Sequence, residues 1–390
     1  MNPRILLLTL GTFAIGTEGY VIAGVLPTIT GDLGVSIAAG GMLVTVFALV
    51  YALGSPVLAA LLGHWPHRQV LLGGLAVFTL GNLLAALAPS FGMLVFARLI
   101  AALGAALYTP TASAAAVALA RPERRGQALS LVSGGLTVAI VLGVPLGTWV
   151  GHAFGWRMTF VMVAVMSGLA LLGAALLLPS FAASAALGLR QRMAPLARPP
   201  FLAALSLSVI WITGAFTVYP YLSPLLGQIT HMDYAGVSLM LLIFGVASML
   251  GIFLGGYIAD RWGSGLSIPI SLGVLILTMA LLPLAAATGA GAALAIAVWG
   301  VSGWSVSVPQ QHRLIALAPS DAAVALALNS SAMYLGQALG AVVGGALVDA
   351  SQVWLLGPAG AAIEVAALAA VLLAMRRPYS QAGSAAEQTA

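Results

Sequence analysis

A chain of 390 residues that is 61% hydrophobic and only 6% charged is not an ordinary soluble domain, in which about a quarter of the residues are charged; its solvent is a lipid bilayer. The net charge of +5 comes entirely from arginine, since lysine is absent. Those arginines sit in short clusters between apolar runs, so the charge reads as membrane topology rather than nucleic-acid binding. The lack of cysteine removes disulfides, thiolate metal sites and cysteine nucleophiles.

A spanning helix needs about 20 apolar residues. Twelve runs meet that length, at 5–27, 38–62, 69–88, 92–116, 126–150, 158–179, 201–224, 236–258, 266–286, 288–309, 322–347 and 353–375. The first run is longer than the roughly 7–15 apolar residues of a signal peptide, and no small-residue cleavage site follows it, so it reads as a retained helix. It also carries Gly16-Thr17-Glu18-Gly19-Tyr20. A carboxylate inside a membrane helix costs about 2.5–3.5 kcal/mol on insertion scales and normally faces a partner or an aqueous cavity. Glu18 is therefore the first functional candidate.

Arginine placement orients the spans. With the N-terminus inside, twelve arginines fall in cytoplasmic segments, Arg157 alone falls outside, and Arg98 lies within the fourth run. This bias predicts both termini in the cytoplasm. The connection rich in arginine and proline divides the chain into an N-terminal six-helix bundle (1–180), a cytoplasmic linker (181–200), a C-terminal six-helix bundle (201–378) and a disordered tail (379–390). A weak internal repeat supports the division. Tight basic turns follow the second run (Gly63-His64-Trp65-Pro66-His67-Arg68) and the eighth (Gly256-Tyr257-Ile258-Ala259-Asp260-Arg261-Trp262-Gly263). An all-α membrane protein of two six-helix bundles with a midplane site is a secondary-transporter layout.

Four stretches carry a resemblance. Gly256 to Gly263 looks like the G-x-x-x-D-R-x-G loop of the major facilitator superfamily; Leu94-Val95-Phe96-Ala97-Arg98 with Gly104 is similar to its fourth-helix pattern; Gly143-Val144-Pro145-Leu146-Gly147, after Gly134 and Gly135, looks like the fifth-helix antiporter pattern; and Gly24-Val25-Leu26-Pro27 resembles the proline-ended first helix of its exporters. Within that superfamily the chain resembles the drug:proton antiporters and the arabinose-efflux-permease-like members, over residues 5–377. The first-half loop departs from the pattern, with Gly63 in place of the aspartate and Pro66 in place of the glycine. The resemblance implies a major facilitator fold in the bacterial inner membrane, with a small molecule and protons as partners besides the bilayer. It implies efflux of drugs or sugars, with multidrug resistance among the outcomes. No cofactor, metal or nucleic acid is expected, and a monomer suffices.

Depth arithmetic joins the two intramembrane charges. At 1.5 Å per residue, Glu18 lies about 20 Å from the inner boundary and Arg98 about 9 Å from the outer one. In a core about 30 Å thick these are nearly one level. The resemblance places the first and fourth helices on the central cavity, so an ion pair is expected. Burial disfavours the charged carboxylate and a guanidinium favours it, which suits Glu18 to proton uptake and release and makes Glu18 and Arg98 the proton-coupling pair. A purely fold-specifying pair is the competing reading.

The expected substrate cavity is lined by Tyr20, Trp211, Phe216, Tyr219, Trp304, Asn329, Tyr334 and Gln337, because aromatics with a few uncharged polar groups suit an amphipathic or neutral compound. For Tyr219 and Tyr221, near a helix end, an interfacial aromatic belt competes. Asp260 and Arg261 are read as a conformational latch, and Gly143, Pro145 and Gly147 as gating positions where, by the resemblance, the fifth helix meets its counterpart in the other half. Glu364 has no partner in sight; a twelfth helix beginning near Gly360 would put it close to the outer interface, sparing an unpaired carboxylate in lipid.

An enzyme is the weakest alternative. Gly300-Val301-Ser302-Gly303 matches the G-x-S-G string of intramembrane serine proteases, but that chemistry needs a base, and His64, His67, His152, His231 and His312 all fall in loops or at helix ends. A channel would need repeated polar rings. The nearest alternative to proton-coupled export is import of a small metabolite, proton-coupled or facilitative.

Overall fold

The computed structural model describes residues 4–180 and 188–376. Among them, twelve helices are long and apolar enough to cross a membrane: α1 (Arg4–Leu33), α2 (Ile37–Leu61), α3 (His67–Ala86), α4 (Phe91–Leu119), α5 (Arg125–Phe154), α6 (Trp156–Leu177), α7 (Pro199–Ile229), α8 (Tyr234–Trp262), α9 (Ser264–Ala285), α10 (Gly289–Leu317), α11 (Pro319–Asp349) and α12 (Val353–Leu373). The expected linker is described only from residue 188, where a short turn, Leu189–Met193, leads into α7. Residues 181–187 and the expected tail at 379–390 lie outside the described residues.

An even number of alternating spans puts both ends of the helical body on one face, here the terminal face; the other is the far face. Four of the six helices that start at the far face carry side-chain N-caps. Ser36, Ser90, Asp233 and Thr288 accept from the backbone N–H three residues on, at 3.1, 3.4, 2.9 and 3.1 Å, opening α2, α4, α8 and α10. These caps satisfy one of the helix's free donors where the chain re-enters the apolar layer. The loop ending in Gly263 turns on a positive φ of 76°, a backbone state open to glycine and costly for other residues.

The first six helices pack chiefly on one another, as do the last six, which gives two six-helix bundles. At the centre of the first, α1 is buried on nearly all sides from Gly11 to Leu26. A ladder of small residues makes this possible. Gly143, Gly147 and Gly151 of α5 lie against Thr17, Val21 and Val25 of α1, each set repeating every four residues, and a β-carbon at any of the three glycines would collide. The glycines of α5 thus seat α1 within their own half, while the stretch that holds them, Ala139–Phe154, also packs on α8 of the second half.

The tightest α5 approach to the second half comes just before Gly143. Pro145 has no N–H to give to the carbonyl four residues before it, and the chain passes through a π-turn at Ala139–Gly143. That turn sets Ile140 and Val141 against Gly245 of α8, where a β-carbon would stand 2.5 Å from the Ile140 carbonyl oxygen. Further contacts between the halves follow toward the far face. The His152 and Tyr234 rings stack at 3.8 Å, and the Tyr221 hydroxyl lies over Gly41 and donates to the Ala341 carbonyl at 2.6 Å.

Candidate functional site

Glu18 sits midway along α1 with no solvent exposure. Its Oε1 forms an ion pair with Nη1 of Arg98 from α4, itself buried. The guanidinium is fixed on three further sides: Nε donates to the Leu43 carbonyl at 3.1 Å, Nη1 also donates to the Glu18 carbonyl at 3.3 Å, and Cζ stands 4.4 Å from the centre of the Phe47 ring. Such a cation–π contact contributes about 2 kcal/mol when desolvated. Oε2 of Glu18 and Nη2 of Arg98 have no hydrogen-bond partner among the described residues. One of two carboxylate oxygens and one of three guanidinium nitrogens are thus not used by the pair or its neighbours among the described residues.

The pair lies at the junction of the halves. Tyr20, two residues after Glu18, meets the rings of Phe216 and Tyr219 on α7 at 5.8 and 5.7 Å, and its hydroxyl accepts from Nε2 of Gln337 on α11 at 3.4 Å. Phe47 approaches Tyr334 of α11 at 6.3 Å, while Tyr51 of α2 stacks on Tyr334 at 3.8 Å. Beyond Tyr219 the aromatic cluster continues through Phe244 and Trp299, and Trp211 meets Trp304 edge-on at 6.2 Å. Within it is a cavity of about 20 Å³ lined by Tyr20, Trp211, Phe216, Tyr219 and Trp304 among others, roomy enough for about one water. Two of its lining groups, Nε1 of Trp211 and the Tyr219 hydroxyl, are buried without a hydrogen-bond partner among the described residues.

Seven of the eight expected cavity residues are therefore close to the pair or to this cavity: Tyr20, Trp211, Phe216, Tyr219, Trp304, Tyr334 and Gln337. Asn329 is not. Its side chain accepts from Ser208 at 2.6 Å, and Ser208 in turn accepts from Gln310 at 3.0 Å, a polar knot that ties α7, α10 and α11 together nearer the terminal face. Tyr219 and Tyr221 are 2% and 0% exposed, so the aromatic-belt reading is corrected for both: the Pro220 break in α7, a 3-10 turn at Tyr219–Tyr221, turns the two rings inward. Phe47, Tyr51 and Phe244 escaped the sequence reading. The four-residue spacing of Phe47 and Tyr51, which puts both on one face of α2, was the available signal.

Asp260 and Arg261 are exposed at the end of α8 and make no ion pair among the described residues in this conformation. On the far face, Arg157 instead pairs with Asp32 at 2.7 Å. Glu364 is fully buried and faces Gly214 of α7 rather than the outer interface. The earlier start of α12 places it mid-helix, and glycine on the facing helix makes the room, so the interfacial expectation is corrected.

The sequence profile described as Major Facilitator Superfamily matches residues 8–323. The chain belongs to this superfamily. Over 379 residues it is 34% identical to the uncharacterized MFS-type transporter YbcL of Bacillus subtilis (strain 168), and over 375 residues 35% identical to the inner membrane transport protein YdhP of Escherichia coli (strain K12), covering 96% of each partner and of itself. A solved structure described as a bacterial homolog to the human lysosomal transporter Spinster, in an inward-facing and occupied conformation, superposes with a TM-score of 0.76 at 19% identity, covering 96% of this chain and 98% of that one. The protein is thus a multi-pass inner membrane transporter of the superfamily, with the major facilitator fold, and not an enzyme.

Proposed function

We propose that the protein is a proton-coupled exporter of small amphipathic or neutral molecules, working by alternating access with Glu18 as the proton site. The observation that carries this reading is the place of the Glu18–Arg98 pair: buried in the first half, partly satisfied, and one residue layer from rings contributed by the second. Proton uptake at Glu18 dissolves the ion pair and frees Arg98. Arg98 holds Phe47, and Phe47 and Tyr20 touch the second half, so the charge change reaches the surface along which the halves must separate.

The buried donors of Trp211 and Tyr219 favour a substrate with hydrogen-bond acceptors on an apolar frame, since a buried donor left unpaired is costly. With both termini cytoplasmic, the contacts at Tyr221, His152 and Gly245 close the outer side, and Asp260 and Arg261 form their latch in the opposite state. The fifth-helix pattern Gly143-Val144-Pro145-Leu146-Gly147 favours export over import. The test is transport in proteoliposomes against a compound panel including chloramphenicol, arabinose and a nucleoside, with an imposed pH gradient. Export reading predicts accumulation driven by the gradient in the direction opposite to proton flow; flow in the same direction supports import.

A further inference from the structure

Glu364 is a second intramembrane carboxylate, outside the Glu18–Arg98 pair. It is fully buried on α12, and neither of its carboxylate oxygens has a hydrogen-bond partner among the described residues. The helices around it offer no counter-charge. Along α9 there is no titratable residue; along α7 there are only Tyr219, turned to the cavity, and Tyr221, committed to the Ala341 carbonyl; on α11 Tyr334 is stacked on Tyr51, and Asp321 and Asp349 stand at the two helix ends.

What faces Glu364 is backbone. A β-carbon at Gly214 would lie 2.5 Å from its Oε1, and one at Gly360, a turn earlier on α12, would lie 2.8 Å from the Gly214 carbonyl oxygen. Helices α7 and α12 therefore meet through a glycine pair with the carboxyl group pressed on the seam. Five residues along α7, about 7.5 Å at helical rise, comes the Tyr219 break that contacts Tyr20 beside Glu18.

We propose that Glu364 is a second proton-binding site, in the C-terminal half, whose neutral form seats α7 on α12 and whose ionised form releases it. The neutral acid is far less costly to bury at this seam than the carboxylate. The carboxylate, with no cation beside it, needs water, and water reaches either oxygen only when α7 and α12 part. The proton moves between this carboxyl group and that water; no other group gains or loses one. Protonation of Glu364 thereby sets the position of the helix that supplies Trp211, Phe216 and Tyr219 to the cavity.

The proposal does not depend on Glu18 being the coupling residue, and the test is made in Glu18→Gln protein to keep the two apart. Two readouts are combined: the infrared carbonyl band of a protonated carboxylic acid, followed against pH, and the spacing of spin labels at Leu202→Cys and Leu373→Cys, which are lipid-exposed positions on α7 and α12 in a chain without native cysteine. The expected result is a band that disappears at alkaline pH together with a change in label spacing, both lost on adding Glu364→Gln. Should the Gln variant not fold, Glu364→Asp must shift the band in position. A band or a pH-dependent spacing that survives Glu364→Gln unchanged, or is unmoved by Glu364→Asp, overturns the proposal.

Discussion

The ring of Tyr20 meets that of Tyr219 edge-on, at 83° and 5.7 Å between centroids. The first is two residues from the buried carboxylate of α1; the second opens the 3-10 turn that interrupts α7. In the proposed mechanism this contact is the route by which a charge change in one half would act on the helix that lines the cavity in the other.

The ion pair is expected to be thermodynamically coupled. Removing one member of a buried pair strands the other and typically costs about 3–5 kcal/mol. Glu18→Gln and Arg98→Met should each lower the unfolding midpoint in detergent, and the double variant should be more stable than the sum of the two losses. Additive losses would show that the two groups do not interact.

Phe47→Leu removes the ring beneath Arg98 and its approach to Tyr334 while keeping the position apolar. The expected cost is about 2 kcal/mol in stability, with transport slowed and the pH dependence shifted, because Arg98 is less firmly held. The check is thermal unfolding alongside the pH profile of transport.

Tyr219→Phe deletes a hydroxyl that bonds nothing among the described residues, so stability should be nearly unchanged. If that hydroxyl contacts substrate, affinity for an acceptor-bearing compound falls about tenfold, in line with about 1.4 kcal/mol for one hydrogen bond. Equal affinity of the variant and the parent would remove Tyr219 from the substrate contacts.

Gly245→Ala places a β-carbon against the Ile140 carbonyl, which opposes closure of the far side. A single cysteine at Ala341, buried beneath Tyr221, should react with a membrane-impermeant thiol reagent several-fold faster in the Gly245→Ala background. Unchanged labelling would place the gate elsewhere.

Much of the architecture was legible because membrane spans announce themselves by length: about 20 apolar residues leave little choice but a helix. Glu18 and Arg98 were legible for a related reason, since two charges at one depth in lipid need each other. The packing partners were not. In α2 and α5 nearly every position is apolar or small, so periodicity does not say which face meets which neighbour; hence Phe47 and Tyr51 went unseen, as did the seat that the glycines of α5 make for α1. Glu364 was misplaced because its accommodation depends on Gly214 and Gly360, residues whose contribution is the absence of a side chain.

The central claim, that Glu18 takes the coupling proton, is tested most directly by measuring proton movement and compound movement together in proteoliposomes of parent and Glu18→Gln protein. For a compound transported by the parent, the account predicts that Glu18→Gln abolishes both gradient-driven accumulation and compound-induced proton flux, although the variant still binds the compound. Full proton-coupled transport by Glu18→Gln would contradict it.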